Sequence, residues 1–287
     1  MTVRVPTDLD EALTALAATP EAHVLAGGTD LMVELNHGSR RPPAVLAVAR
    51  IPELRGWSVD DSGILRVGAA TTYTELMAPG LAALAPALAA ASRTVGSAQI
   101  RNAGTLGGNL GTASPAGDTL PVLVALDAEV ELASASGRRL MPVAEFITGP
   151  KCTARDLDEL IVAVRFPALV HGDVQEYLKV GTRNAMVIAV ASCAVVVEPD
   201  RRTVRVGLGS VGPGPLRAPE AEAWATAHID WEGGALDDLE AFGRLVADAA
   251  RPIDDHRSTA AYRSRAVAVL AARGLRRCLA PRAEAAA

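Results

Sequence analysis

The sequence predicts an α+β chain built in two parts, on three observations. The first fifty residues read as helix, strand, turn, helix and strand. The middle carries apolar runs of strand length separated by turn signals. Near residues 168–175, around His171-Gly-Asp173, the texture changes, and beyond it three strand-like runs are followed by three helical stretches. A length of 287 residues suits about two domains, and a chain of this size buries roughly 70–75% of the surface its unfolded form would expose. We expect a first domain over 1–170, with subdomains of about 1–57 and 58–170, and a second over 175–285.

The elements follow in order. Thr7 can cap a first helix, with Asp10 three residues on and Leu9, Ala12, Leu13, Leu16 and Ala17 at helical spacing; Pro20 ends it. His23–Ala26 reads as a short buried strand. Gly27-Gly28 break it, and Thr29 or Asp30 can cap a second helix reaching about His37. Pro42-Pro43 precede a strand at Val45–Val48. Ile64–Ala69 reads as a strand, Thr71–Met77 as a short helix, and Leu81–Ser92 as helical despite Pro86. From Gly96 to Gly117 glycines and small polar residues replace any periodicity, which predicts a long loop, and such loops are usually functional. Ala128–Ala133 and Arg139–Val143 form a hairpin around a Ser-Ala-Ser-Gly turn, and Pro167 closes a strand at Glu159–Phe166. Glu176–Gly181, Val187–Val197 and Thr203–Ser210 make a three-stranded antiparallel sheet. Helices follow near Pro219–Ala227, Leu236–Ala250 and Ser258–Leu279, and disorder is expected only in the Glu284–Ala287 tail.

Composition narrows the function classes. Hydrophobic residues make up 49% but aromatics 3%, so the core is Ala, Val and Leu, and base stacking has few platforms. A net charge of −5 gives no attraction to nucleic acid or an anionic membrane. Cys152, Cys193 and Cys278 are scattered and form no C-x-x-C pair, so no iron–sulfur cluster or structural zinc is expected within the chain, and a reducing compartment is. The N-terminus lacks an apolar signal core. The longest clean apolar run, about Val187–Val197, is too short to span a bilayer. The expectation is a cytoplasmic protein with no membrane span.

Two glycine clusters carry the chemistry. Ala26-Gly-Gly-Thr-Asp-Leu31 is a strand–Gly-Gly–helix junction. Without side chains, its backbone N–H groups can approach phosphate oxygens, the following helix adds a positive N-terminal end, and Thr29 adds a hydroxyl donor. The same residues could equally form a plain tight turn with a helix cap. This motif differs from the G-x-G-x-x-G fingerprint with its downstream acid, and it is not a Walker loop. The second cluster, Gly104-Thr-Leu-Gly-Gly-Asn109, runs on through Ser114 to Asp118. Its Gly and small polar residues suit a backbone wrapped around an anionic ligand, or a flexible surface loop. Asn109 offers donor and acceptor, Thr105, Thr112 and Ser114 offer hydroxyls, and Asp118 could accept from a ribose.

Val24–Leu31, Arg101–Asn109 and Ala113–Asp118 together resemble the FAD-binding (medium) subunit of the molybdenum hydroxylases, the family of xanthine dehydrogenase and aerobic carbon monoxide dehydrogenase. The resemblance covers nearly the whole chain. It implies a fold of the vanillyl-alcohol-oxidase/PCMH type: two α/β subdomains around one non-covalent FAD, with a smaller C-terminal domain. By that likeness Leu25, Ala26, Gly27, Gly28, Thr29, Asp30 and Leu31 line the pyrophosphate and ribityl region. Gly104, Thr105, Gly107, Gly108 and Asn109 hold the pyrophosphate from the other side, with Val95 and Ser114 also in contact. Asp118 lies near the adenosine ribose, Leu160 and Ile161 pack near the flavin ring, and Lys179 lies close to the ring edge. His23 and His37 flank the first motif, but neither immediately precedes the Gly-Gly pair, so covalent attachment is not expected. Cys152 reads as a bystander, Arg101 as a surface residue, and Arg251, Arg257, Arg263, Arg265, Arg276 and Arg277 as solvated helix faces.

The resemblance also implies partners: a small subunit with two [2Fe–2S] clusters and a large molybdopterin subunit. Electrons then reach the FAD and leave to NAD⁺, a quinone or oxygen. No catalytic acid–base dyad is expected, and none is evident. One rival is a stand-alone flavoenzyme of the same fold, which would need its own substrate pocket. The other is a nucleotide-binding or scaffolding protein that has lost FAD.

Overall fold

Three main sheets organise the chain in the computed structural model, which describes residues 2–38, 41–170 and 172–280. His171 of the expected boundary and the Glu284–Ala287 tail lie outside the described residues.

The first sheet is parallel, in the order Thr2–Arg4, Ala44–Ala47, His23–Leu25. The helix Leu9–Ala18 packs Leu9, Ala12, Leu13 and Leu16 into one core with Ala44 and Leu46. Its cap is Asp8, not Thr7: the Asp8 carboxylate accepts from the Glu11 N–H at 2.8 Å, and the Thr7 N–H donates to the Glu11 carboxylate. The strand Thr2–Arg4 was not foreseen, because all three of its residues are exposed and no alternation of burial marks it.

The second sheet is antiparallel, in the order Trp57–Val59, Ile64–Gly68, Leu160–Pro167, Glu129–Ser134, Gly137–Pro142; its last two strands are the expected hairpin. The central strand has a bulge between Ile161 and Ala163. Leu160 and Val162 pack into the core of the first sheet, whereas Ile161, Val164 and Phe166 pack into that of the second. One strand thus serves two cores, and its bulged start lies where they meet.

The expected loop from Gly96 to Gly117 contains two short helices, Ala98–Ala103 and Leu106–Thr112, capped by Ser97 and Thr105. The glycines hid the helices from a periodicity reading, and tertiary packing overrides their low propensity. Pro86 likewise divides rather than disturbs. The chain makes Pro79–Leu84 and Pro86–Arg93, with a proline in the first turn of each.

The third sheet has four strands where three were expected: Val174–Val180, Ala191–Glu198, Thr203–Gly209 and the two-residue Leu216–Arg217. Residues 181–190, partly read as strand, form an irregular turn in which Arg183 donates to the Met186 carbonyl and Met186 takes φ +50°. The helices Leu239–Ala249 and Ala260–Leu279 pack together, and Phe242, Val246, Val267 and Leu275 share the core of this sheet. Among the described residues no helix is long and apolar enough to cross a membrane, and no group of three His, Cys, Asp or Glu side chains could hold a metal ion.

Candidate cofactor site

A cavity of about 1140 Å³ lies where the first sheet, the glycine-rich helices, the bulged strand and the loops of the C-terminal part converge. It is slightly larger than the roughly 300–1,000 Å³ of most small-molecule sites. Every residue predicted from sequence lines it except Gly104 and Lys179.

The first motif enters from the end of His23–Leu25, an edge strand. Gly28 takes φ +73°, a conformation that favours glycine. Gly27 has a different reason to lack a side chain, since a Cβ there would stand 1.7 Å from the Ala103 carbonyl oxygen. The two glycine motifs therefore touch backbone to backbone. Thr112 Oγ1 adds a link, donating to Asp30 Oδ2 at 3.4 Å. Asp30 occupies the N-cap of Leu31–Asn36 without a capping hydrogen bond of its own. Among the described residues, the backbone N–H groups from Gly27 to Leu31 have no hydrogen-bond acceptor. A run of unsatisfied donors on a cavity wall is a cradle for an anionic group such as a pyrophosphate.

In the second motif the backbone N–H groups have partners within the chain. The N–H of Gly107 donates to Ala69 O at 2.8 Å, that of Gly108 to Thr105 Oγ1 at 3.0 Å, and that of Asn109 to Thr105 O at 3.0 Å. These donors are already engaged. A Cβ on Gly104 would meet the Tyr73 ring at 2.7 Å and one on Gly107 would meet Ala69 Cβ at 2.6 Å, so these glycines serve close packing. Gly108 differs, because a Cβ there would meet only Thr105 Oγ1 within 4 Å. It leaves room on the cavity wall. Asn109 accepts from the Thr119 hydroxyl, which ties the Ser114–Asp118 loop to this helix.

Asp118, expected near the adenosine ribose, and Lys179, expected close to the flavin ring edge, are brought together. Lys179 Nζ lies 2.7 Å from Asp118 Oδ2, and Tyr177 donates to Asp118 Oδ1 at 2.8 Å. Burial raises the Asp118 carboxyl above its ordinary range, against the opposing pull of Lys179, Tyr177 and Thr94. Burial and the Asp118 charge push the Tyr177 phenol well up.

The C-terminal part supplies a wall that sequence reasoning missed, with Met186, Ile188, Ser210, Ile253 and Arg263 among its residues. Arg263, read as solvated, is 4% exposed. Its guanidinium donates to the carbonyls of Val190 and Ser210 and to Asp255 Oδ1 at 2.6 Å. The backbone N–H of Arg257, then the Arg263 guanidinium and the backbone N–H of Ser258, hold the Asp255 carboxyl down at about 2 against its desolvation. A signal was present: Arg263 shares the buried stripe of its helix with Val267, Leu270, Ala271 and Gly274.

Comparison with known proteins then decides the family. The family described as FAD binding domain in molybdopterin dehydrogenase matches residues 1–169, and the CO dehydrogenase flavoprotein C-terminal domain matches residues 176–278. The chain belongs to the FAD-binding subunits of the molybdopterin dehydrogenases. It is 33% identical to the xanthine dehydrogenase FAD-binding subunit of Escherichia coli O157:H7 over 261 residues, 89% of this chain and 88% of that one. It is also 33% identical to the carbon monoxide dehydrogenase medium chain of Hydrogenophaga pseudoflava over 217 residues, 74% and 75% of the two chains. A solved carbon monoxide dehydrogenase from the latter organism superposes with a TM-score of 0.86 at 28% identity, covering 97% of this chain and 96% of that one. This molybdopterin dehydrogenase subunit therefore has the PCMH-type fold, takes FAD as cofactor and is part of an oxidoreductase. Its residues fit the cofactor: the Gly27–Leu31 donors suit the pyrophosphate, and Leu160 and Ile161 offer apolar surface to a ring.

Proposed function

We propose that the chain holds one FAD non-covalently in this cavity. It receives electrons from the [2Fe–2S] clusters of a small partner subunit, beside a molybdopterin-bearing large subunit, and delivers them to NAD⁺, a quinone or another acceptor. The observation that carries the reading is the run of unsatisfied N–H groups at Gly27–Leu31, on the cavity onto which Gly108 opens. Bound FAD supplies a ring that can take up electrons singly and release them in pairs.

The chain's residues bind and orient. Gly27–Leu31 donate to the pyrophosphate, and Thr29 adds a hydroxyl. Thr105, Gly107, Gly108, Asn109 and Ser114 shape the opposite wall, with Gly104 supporting it from behind. Val95, Leu160 and Ile161 keep water from the ring. Asp118 meets the ligand, and Lys179 holds Asp118 in place. Partner subunits are supported by the relatives: the solved Hydrogenophaga enzyme is described as lacking the Mo-pyranopterin moiety of its molybdenum cofactor, so that enzyme uses one.

The test compares the lone FAD-loaded chain with the assembled complex. Bleaching of the flavin absorbance by an organic donor only in the complex supports the relay. A lone chain that oxidises the donor by itself would establish the stand-alone flavoenzyme instead.

A further inference from the structure

The strands of the second sheet bury alternate residues. Leu65 and Val67, Val130 and Leu132, and Val164 and Phe166 belong to its core, so Arg66, Glu131 and Arg165 between them face the other side. That side carries a hollow of about 370 Å³, lined by four arginines, Arg66, Arg138, Arg139 and Arg165, and two carboxylates, Asp60 and Glu131. No residue lines both this hollow and the cofactor cavity.

Arg66 and Arg165 are direct cross-strand partners, and like charges in that position repel. Their surroundings offset this incompletely. Glu131 is shared: Arg66 Nε donates to its Oε2 at 2.7 Å, and Arg138 Nη1 donates to its Oε1 at 2.6 Å. Arg165 reaches one carboxylate among the described residues, the half-exposed Asp60, at 3.4 Å. Asp60 is also engaged in its own turn, where Oδ1 accepts from the Ser62 hydroxyl and the Ile64 N–H. Glu129 stands opposite Arg165 on the far strand and forms no ion pair among the described residues. Arg139 turns to Glu159. Each guanidinium has five N–H donors, and Arg138 and Arg165 each place one on a carboxylate of the hollow.

We propose that this hollow is an anion site for a phosphate group, carried by free phosphate or by a phosphate monoester. Arg66, Arg165 and Arg138 reach it from three strands, Ile64–Gly68, Leu160–Pro167 and Gly137–Pro142. A planar carboxylate suits the parallel fork of one arginine, whereas a tetrahedral phosphate accepts from several directions at once. A phosphate monoester carries close to two negative charges at neutral pH, which matches a lining of four guanidinium groups against two carboxylates. Placed between Arg66 and Arg165, it removes their repulsion. Glu131 already orients Arg66 and Arg138, so the ion meets donors that need little further ordering. Ile64 and Leu140 on the same lining give an ester's carbon part an apolar margin.

The experiment titrates the full chain calorimetrically at low ionic strength with inorganic phosphate and with phenyl phosphate, against sodium chloride of equal ionic strength. FAD is present in excess, because the Gly27–Leu31 donors would also take a phosphate. The expected result is one saturable site, weakened about tenfold by Arg165→Gln and by Arg138→Gln, the effect of losing one charge-assisted hydrogen bond. FAD content should not change. Phosphate should raise the melting temperature of the wild-type chain but not of either variant. Without phosphate, Arg165→Gln should melt close to wild type, since an exposed pair such as Arg165–Asp60 adds little stability. Equal binding of the two probes identifies the free ion as the ligand, and tighter binding of phenyl phosphate identifies an ester. Heat no greater than that of the chloride control, or phosphate binding that both variants retain, would overturn the proposal. So would binding of hexaglutamate by a chain that ignores both phosphates, which would mark a contact for acidic protein. A chain that takes up no FAD leaves this test in force, because the two substitutions still separate the hollow from the cofactor cavity.

Discussion

Gly27 and Gly108 lie in different surroundings, and single alanines should separate packing from ligand binding. A Cβ at position 27 would stand 1.7 Å from the Ala103 oxygen and 2.4 Å from its carbonyl carbon. These are backbone atoms and cannot rotate away, so Gly27→Ala must pry the first motif off the helix Ala98–Ala103. Overpacking of this kind costs about 1–3 kcal/mol, or roughly 2–4 °C of melting temperature per kcal/mol for a chain of this size. At position 108 a Cβ would meet only Thr105 Oγ1, at 2.9 Å. Replacing a helical glycine with alanine gains up to about 1 kcal/mol, and disturbing the Thr105 cap loses about the same, so Gly108→Ala should melt close to wild type. The larger Gly108→Val fills the ligand's side of the wall and should weaken FAD at least about tenfold, about 1.4 kcal/mol. Thermal melts of the apoprotein and FAD titration by flavin fluorescence supply both readings. The reasoning fails if Gly27→Ala melts like wild type, or if Gly108→Val binds FAD as tightly.

Three further outcomes are expected. Lys179→Met strands the buried Asp118 carboxylate and should destabilise by about 3–5 kcal/mol, whereas Lys179→Met with Asp118→Leu should recover most of that loss; urea midpoints that show no recovery would contradict the paired reading. Arg263→Met leaves the carbonyls of Val190 and Ser210 without this donor and removes one of several donors to Asp255, and should lower both melting temperature and FAD content. Arg263→Lys should not rescue either, since one ammonium cannot match the planar fork. Asp255 has a folded-state value of about 2, below its ordinary 3.8, so its stabilisation is present above about pH 4 and is lost as pH falls through about 2. Asp255→Asn should melt lower at pH 7 and show a flatter decline between pH 4 and pH 2, and identical pH profiles would dispose of this linkage.

Sequence reading found what local signals can carry. The strand–Gly-Gly–helix junction was legible because the short run His23–Ala26 stops at Gly27-Gly28. The hairpin at 129–142 was legible because its strands flank a Ser-Ala-Ser-Gly turn. The helices Ala98–Ala103 and Leu106–Thr112 were not, because Gly104 and Gly107 answer to Tyr73 and Ala69, neighbours some thirty to forty positions away. The site divides in the same way. The two motifs announce themselves, but the Asp118–Lys179 pairing and the wall of Met186, Ile253 and Arg263 arise from tertiary convergence, which no local window contains. Arg263 shows the intermediate case: its place on an apolar helical stripe was visible, but the carbonyls that satisfy it were not.

The central claim is that one cavity, walled by both glycine motifs, holds one FAD without a covalent bond. Its most direct test is the visible spectrum of the purified chain, followed by acid precipitation and quantitation of the released flavin. The account predicts yellow protein that leaves one equivalent of FAD in the supernatant and a colourless pellet. Flavin that stays with the pellet, or colourless protein that takes up no added FAD, would contradict it.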